Sequence, residues 1–154
     1  MVGKRFVAGA YGVVTGSQLV NVHEQIVPGP LARSSELLET ILDPDTSVWP
    51  FDLRVLELDN GLAPGSAGGH GGIGCAVSEH DSGRRVRFVF SPDASIAGWH
   101  EFVVGDVPGA GVRWRHELVI DPVDDHILQD IEQSHDSLIE VLFDRVEARL
   151  NRSL

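Results

Sequence analysis

The 154 residues carry 23 acidic against 12 basic side chains, a formal net charge of −11, and one cysteine, Cys75. Such an acidic excess repels nucleic-acid phosphates and anionic lipid surfaces, so neither is an expected partner. A single thiol excludes an internal disulfide and a thiolate zinc cluster, which suits a reducing cytoplasm, and Cys75 reads as a small core hydrophobe.

The length is that of one domain, able to bury roughly 70% of the surface its unfolded chain exposes and so to hold a core with a ligand cavity. No apolar run approaches the ~18 residues a bilayer span requires, so no membrane insertion is expected. At the start, Lys4 and Arg5 precede a short apolar stretch, as in a secretory signal, but Gly9 and Gly12 interrupt it and no small-x-small cleavage site follows. Residues 1–16 are expected to be a flexible or appended extension, and 17–154 a single domain.

Along Leu19 to Val27, Val20, Val22 and Ile26 alternate with Asn21, His23 and Gln25, the pattern of a half-buried strand with the valines inward. Glu24 falls on that inward parity and is an exception. Pro28 to Pro30 break the strand, and Leu31, Leu37, Leu38 and Ile41 recur at helical spacing to about Leu42. Asp43 to Pro50 reads as a short second helix or turn closed by the Trp49-Pro50 step. Phe51 to Leu58 is the next expected strand, followed by a glycine-rich connection to a strand over Ile73 to Ser78. The alternation in "RRVRFVF" runs to Phe90, with further strands over His100–Val104 and Val112–Ile120. From Val123 to about Leu150 no Pro or Gly occurs, and Ile127, Ile131, His135, Leu138, Leu142, Val146 and Leu150 repeat at three and four. That is one long amphipathic helix. The acidic "DPVDD" before it suits the positive end of a helix dipole better than a metal site.

Strand parity places Val112, Trp114, His116, Leu118 and Ile120 on one face, with Arg113, Arg115 and Glu117 on the other. His100, Phe102 and Val104 share the preceding strand's inner face, and Val86, Phe88 and Phe90 join them. A turn symmetric about Pro108 pairs His100 directly with His116, Cβ atoms ~5 Å apart; a slip by two leaves them diagonal on the same face. Arg85, Arg87, Glu101, Arg113, Arg115 and Glu117 on the outer face read as a solvated ion-pair lattice.

The order strand, helix pair, antiparallel meander, long terminal helix, with "GGHGGI", "GRRVRFVF", "GWHEFVV" and "VRWRHELVIDPVDDHILQD", resembles the START-like (SRPBCC) superfamily, in its bacterial polyketide cyclase/dehydrase-like branch. The resemblance covers roughly residues 18 to 150. It implies an α+β helix-grip fold: a curved antiparallel sheet of about six to seven strands around the C-terminal helix, one or two short helices after strand one, and a mostly apolar cavity between. His135, on the helix stripe with Ile131, Leu138 and Leu142, lines that cavity from the helix side. The superfamily has no universal catalytic motif, so no catalytic role is carried onto any residue by the resemblance.

Gly69 to Gly74 matches G-x-G-x-x-G in letters, but strand rather than helix follows, so no nucleotide cofactor is expected. The glycines are expected to form a bulge or to let backbone approach a ligand. His70, His100 and His116 raise a zinc hypothesis that no carboxylate at motif spacing supports, so no metal is expected. For His100 and His116 three readings stand: a satisfied buried polar pair, a contact for a ligand's polar end, or acid/base catalysis, since adjacent imidazoles in a dry pocket discourage each other's protonation.

The expected function is binding of a hydrophobic small molecule, a lipid, polyketide or aromatic metabolite, in a cavity lined by Phe88, Phe90, His100, Phe102, Trp114, His116, Leu118, Ile131, His135, Leu138 and Leu142. The enzyme alternative is a cyclase, aromatase or dehydratase with His100 or His116 as general base. A third is a protein-interaction module whose interior is filled. Cavity size separates the third from the others.

Overall fold

The protein's structure, a computed structural model, describes residues 10–15, 18–46, 48–53, 56–70 and 73–151. Its strands are β1 (Ala10–Thr15), β2 (Gln18–Val27), β3 (Leu56–Leu58), β4 (Ala67–His70), β5 (Ile73–Asp81), β6 (Arg85–Phe90), β7 (Gly98–Val107) and β8 (Gly111–Ile120). Helix α1 (Leu31–Glu39) follows β2, and α2 (Asp125–Asn151) closes the chain. The eight strands form one antiparallel sheet in the order β1-β2-β8-β7-β6-β5-β4-β3. The meander β3 to β8 and the return of β8 beside β2 give the helix-grip arrangement, with α2 against β2 and β8 and touching α1.

The 27 residues of α2 span about 40 Å at 1.5 Å per residue. Asp124 starts the helix: its Oδ1 accepts the His126 N–H at 2.9 Å, and its carbonyl accepts the Leu128 N–H at 3.1 Å. The buried stripe runs through Leu128, His135, Leu138, Ile139, Leu142, Val146 and Leu150, as the three- and four-residue spacing predicts. Ser34 of α1 accepts the Trp114 indole N–H at 3.0 Å, tying α1 to β8 beneath the sheet.

Four features differ from the sequence-based expectation. First, Ala10–Thr15 pairs with β2, so the sheet reaches past Ser17 into the segment expected to be an extension. Second, the glycine-rich stretch before Ile73 contains β4, paired on both sides. A Cβ on Gly68 would lie 1.8 Å from the Glu57 carbonyl oxygen, and one on Gly69 2.6 Å from that of Ile73. These glycines admit the close approach of neighbouring backbone. Of the strand expected over Phe51 to Leu58, the described part is Leu56–Leu58, and Leu53 lies in a turn, 54% exposed.

Third, the β7–β8 hairpin centres on Gly109 rather than Pro108. Pro108 opens the turn, the Ala110 N–H bonds the Val107 carbonyl at 2.9 Å, and Gly109 and Gly111 take φ of 77° and 125°. Positive φ is open to glycine and closed to proline, which fixes the centre. Moving it by one residue moves the pairing by two: His100 faces Leu118 and Phe102 faces His116, so the two histidines are diagonal.

Fourth, β2 is turned over. Leu19, Asn21, His23 and Val27 are buried and directly oppose Ile120, Leu118, His116 and Val112 of β8. Directly paired residues share a face, so Asn21, His23 and Gln25 point at α2 while Ile26 is 47% exposed. The polar side chains are tolerated inside because α2 supplies their partners: Asp136 and His135 to Asn21, Asp136 to His23, and Glu147 to Gln25 at 2.7 Å. Glu24, the exception to the expected parity, lies on the outer face and accepts from Arg115 at 3.1 Å.

The rest of that face carries the expected ion pairs: Arg85 with Glu79 and Glu101, Arg87 with Glu101 at 2.9 Å, and Arg115 with Glu117 at 3.3 Å. Arg87 also covers the Trp99 ring at 3.8 Å.

Candidate functional site

Between α2 and the inner face of the sheet lies a cavity of about 180 Å³. Phe90, His100, His116, Leu118 and Ile120 line it from the sheet, and Trp49, Ile73 and Ile96 from the flanking segments. From α2 come Asp130, Ile131, Ser134, His135, Leu138 and Ile139. Of the expected lining, Phe90, His100, His116, Leu118, Ile131, His135 and Leu138 are therefore brought together.

Phe88, Phe102, Trp114 and Leu142 are not among the lining residues. All four are fully buried in solid core. Parity assigns them the correct face, but which stretch of that face borders the void depends on where α2 crosses it. Phe88 lies against the His100 ring (centroids 4.8 Å apart, 19° between planes), and Phe102 against His116 at 4.4 Å. They hold the histidines in place without meeting the cavity.

Behind the lining runs a continuous line of buried hydrogen bonds. Asp136 Oδ1 accepts the Asn21 amide N–H at 3.0 Å, and the Asn21 carbonyl oxygen faces His135 Nδ1 at 2.7 Å. His135 Nε2 meets His116 Nδ1 at 2.9 Å, and His116 Nε2 meets His100 Nδ1 at 3.2 Å. His23 Nε2 joins the same Asp136 oxygen at 2.8 Å, its ring edge-on to His135. Asn21, His23 and Asp136 are members that strand and helix periodicity does not reveal; the one signal for them is Glu24, whose position contradicts an inward-facing row of valines.

The carboxylate sets the proton positions along this line. It only accepts, so the Asn21 amide turns its NH₂ to Asp136 and its oxygen to His135. His135 Nδ1 then carries a hydrogen, and in a neutral ring Nε2 must accept from His116 Nδ1–H. The same rule passes along to His100, which donates from Nδ1 and keeps its lone pair on Nε2, an atom that is itself buried. Each nitrogen-to-nitrogen junction holds one proton.

Chemically, both nitrogens of His116 and both of His135 are spent on neighbours, and His100 directs Nδ1 to His116. The imidazoles offer the cavity mainly ring carbon and ring face. Nor do they converge: they are joined in series, and among the described residues no three His, Cys, Asp or Glu side chains are grouped to hold a metal ion. The side chain of His70, named in the zinc hypothesis, lies outside the described residues. Of the G-x-G-x-x-G letters, Gly69 and His70 end β4 and Ile73 and Gly74 open β5, so strand follows where a pyrophosphate site needs a helix. Among the described residues no helix is long and apolar enough to cross a membrane.

No protein-family model and no curated protein matches the chain. Solved structures do. MLL2253 from Mesorhizobium loti is 16% identical with a TM-score of 0.62, over 88% of this chain and 98% of its own. CalU16 from Micromonospora echinospora is 13% identical with a TM-score of 0.58, over 99% and 87%. Ara h 8.0201 is 14% identical with a TM-score of 0.56, over 81% and 95%. At such identities the likeness shows the fold alone, the helix-grip fold.

Proposed function

We propose that the protein binds a hydrophobic small molecule of about single-ring size in the cavity between α2 and the sheet. The observation that carries this reading is an apolar void beside imidazole rings that give five of their six nitrogens to a buried hydrogen-bonded line. An apolar pocket with few polar groups is the usual form of a small-molecule site. Size narrows the ligand: a cavity of about 150 Å³ suffices for benzene, whereas drug-sized pockets begin at about 300 Å³. A volume of about 180 Å³ favours a monocyclic aromatic or short branched metabolite over an extended acyl chain or a full polyketide.

Binding is preferred to cyclase, aromatase or dehydratase chemistry on the same geometry. A general base must reach the proton it removes within hydrogen-bonding distance. His116 has neither nitrogen available without breaking the line, and His100 Nε2 is buried. An interaction module with a filled interior fits the cavity poorly.

Native mass spectrometry of freshly purified protein tests the reading. The expected spectrum contains a bound species of low mass that Leu138→Trp, which places an indole in the void, removes. Ligand retained by a folded Leu138→Trp variant would place binding elsewhere and overturn the assignment.

A further inference from the structure

The cavity's polar features are unevenly distributed, and this bears on the chemical class of the ligand. Its deep wall is Phe90, Leu118, Ile120 and Ile139, with imidazole rings that give five of their six nitrogens to the buried line and keep the sixth, His100 Nε2, away from solvent. A polar ligand group buried there without a partner costs about 1–3 kcal/mol. Besides the histidine line and the buried Trp49 indole, the polar lining residues among those described are Asp130 and Ser134. They stand one helical turn apart on α2, so their side chains are neighbours, and both are exposed. The polar edge of the cavity is thus at its solvent side, on one turn of α2.

The charge there has one sign. Among the described residues, neither the cavity nor the adjoining cleft, lined by Asp93 and Ser95 beside the shared Ile73, has a Lys or Arg in its lining. The basic side chains of β6 and β8 are spent on the outer face of the sheet. His126 stands beside Asp130, its Nε2 3.5 Å from Oδ2, both side chains largely exposed. With a net charge of −11 behind it, this opening disfavours a carboxylate or phosphate head and favours a hydrogen-bond donor.

Resting on the cavity-binding reading above, we propose that the ligand enters apolar end first and carries a donor head, an amine in preference to a carboxylate, held at Asp130 and Ser134. The apolar end fills the deep wall, where only shape and size are read. The head stays at the rim, where the Asp130 carboxylate and the Ser134 hydroxyl both accept.

The test compares toluene, benzylamine and benzoate, three probes of one ring, on the full chain by calorimetry and amide chemical-shift titration. Toluene is expected to bind and to shift Ile131 and Leu138; if it does not, the cavity reading falls and this inference with it. Benzylamine is expected to bind more tightly than benzoate. In Asp130→Asn the benzylamine affinity is expected to fall about two- to five-fold, the range of an exposed ion pair, and to become less salt-dependent. Benzoate affinity should rise in the same variant. Toluene binding to wild type, together with benzoate as tight as benzylamine or an Asp130→Asn variant that leaves their ratio unaltered, would overturn the head-group assignment while sparing the cavity.

Discussion

Asp136→Ala probes the structural role of the buried polar line most sharply. One carboxylate oxygen accepts two hydrogen bonds, from Asn21 at 3.0 Å and His23 at 2.8 Å, and both donors are buried, at 0% and 2% exposure. Removing the acceptor strands both. Each orphaned donor costs about 1–3 kcal/mol, so a loss of about 3–5 kcal/mol is expected for the two together. For a domain of this size that lowers Tm by about 8–15 °C, a large share of the usual folding free energy. Asp136→Asn keeps one acceptor oxygen and should lose less, about 1–2 kcal/mol. Urea unfolding followed by tryptophan fluorescence and circular dichroism measures both. The line also fixes tautomers, so ¹⁵N spectra of the histidines should show Nδ1–H at His100, His116 and His135 in the wild type. A loss under about 1 kcal/mol for Asp136→Ala, or Nε2–H tautomers in these three rings, would refute the reasoning.

Two further outcomes follow from groups outside the cavity. Burial pushes the Cys75 thiol from its ordinary 9.0 up to about 11, so iodoacetamide should leave it unmodified in the native protein and label it on unfolding. Because the folded state retains the proton longer, the stability this thiol contributes is fully present below pH 9.0 and is lost as pH rises through about 11; Cys75→Ala should lack that alkaline decline. Burial acts to raise the Glu39 carboxyl, but hydrogen bonds from His80 at 2.8 Å, the Gly83 N–H at 3.0 Å and Ser82 at 3.2 Å, with the His80 charge, hold it below its ordinary 4.5. A depressed carboxylate stabilises above its unfolded value, so Glu39→Gln should cost about 0.5–1 kcal/mol at neutral pH. In denaturant titrations that difference should disappear as pH falls below 4.5.

What was legible in the sequence follows from what periodicity encodes. The α2 stripe and the inward faces of β6, β7 and β8 are written locally, in spacings of three, four and two, and they hold in the structure. The hairpin register slipped by two because Gly109, not Pro108, centres the turn, a change that preserves faces and so leaves no mark in the alternation. β4 was hidden because glycine weakens strand pattern, and here it is required by backbone crowding at Glu57 and Ile73.

The inversion of β2 is the instructive failure. Hydrophobicity points Val20, Val22 and Ile26 inward, but Asn21 and His23 find partners 113 to 115 positions away on α2. No local rule anticipates partners at that separation. His100, His116 and His135 could be placed facing inward; that their nitrogens would face one another rather than the void required coordinates.

The central claim is an apolar void between α2 and the sheet, and crystals pressurised with xenon test it most directly, since a dry apolar cavity of this size takes up the gas. A xenon peak enclosed by Phe90, Leu118, Ile131 and Leu138 is expected, absent from Leu138→Trp crystals. An interior with no xenon there, occupied instead by side chains packed across the space, would contradict it.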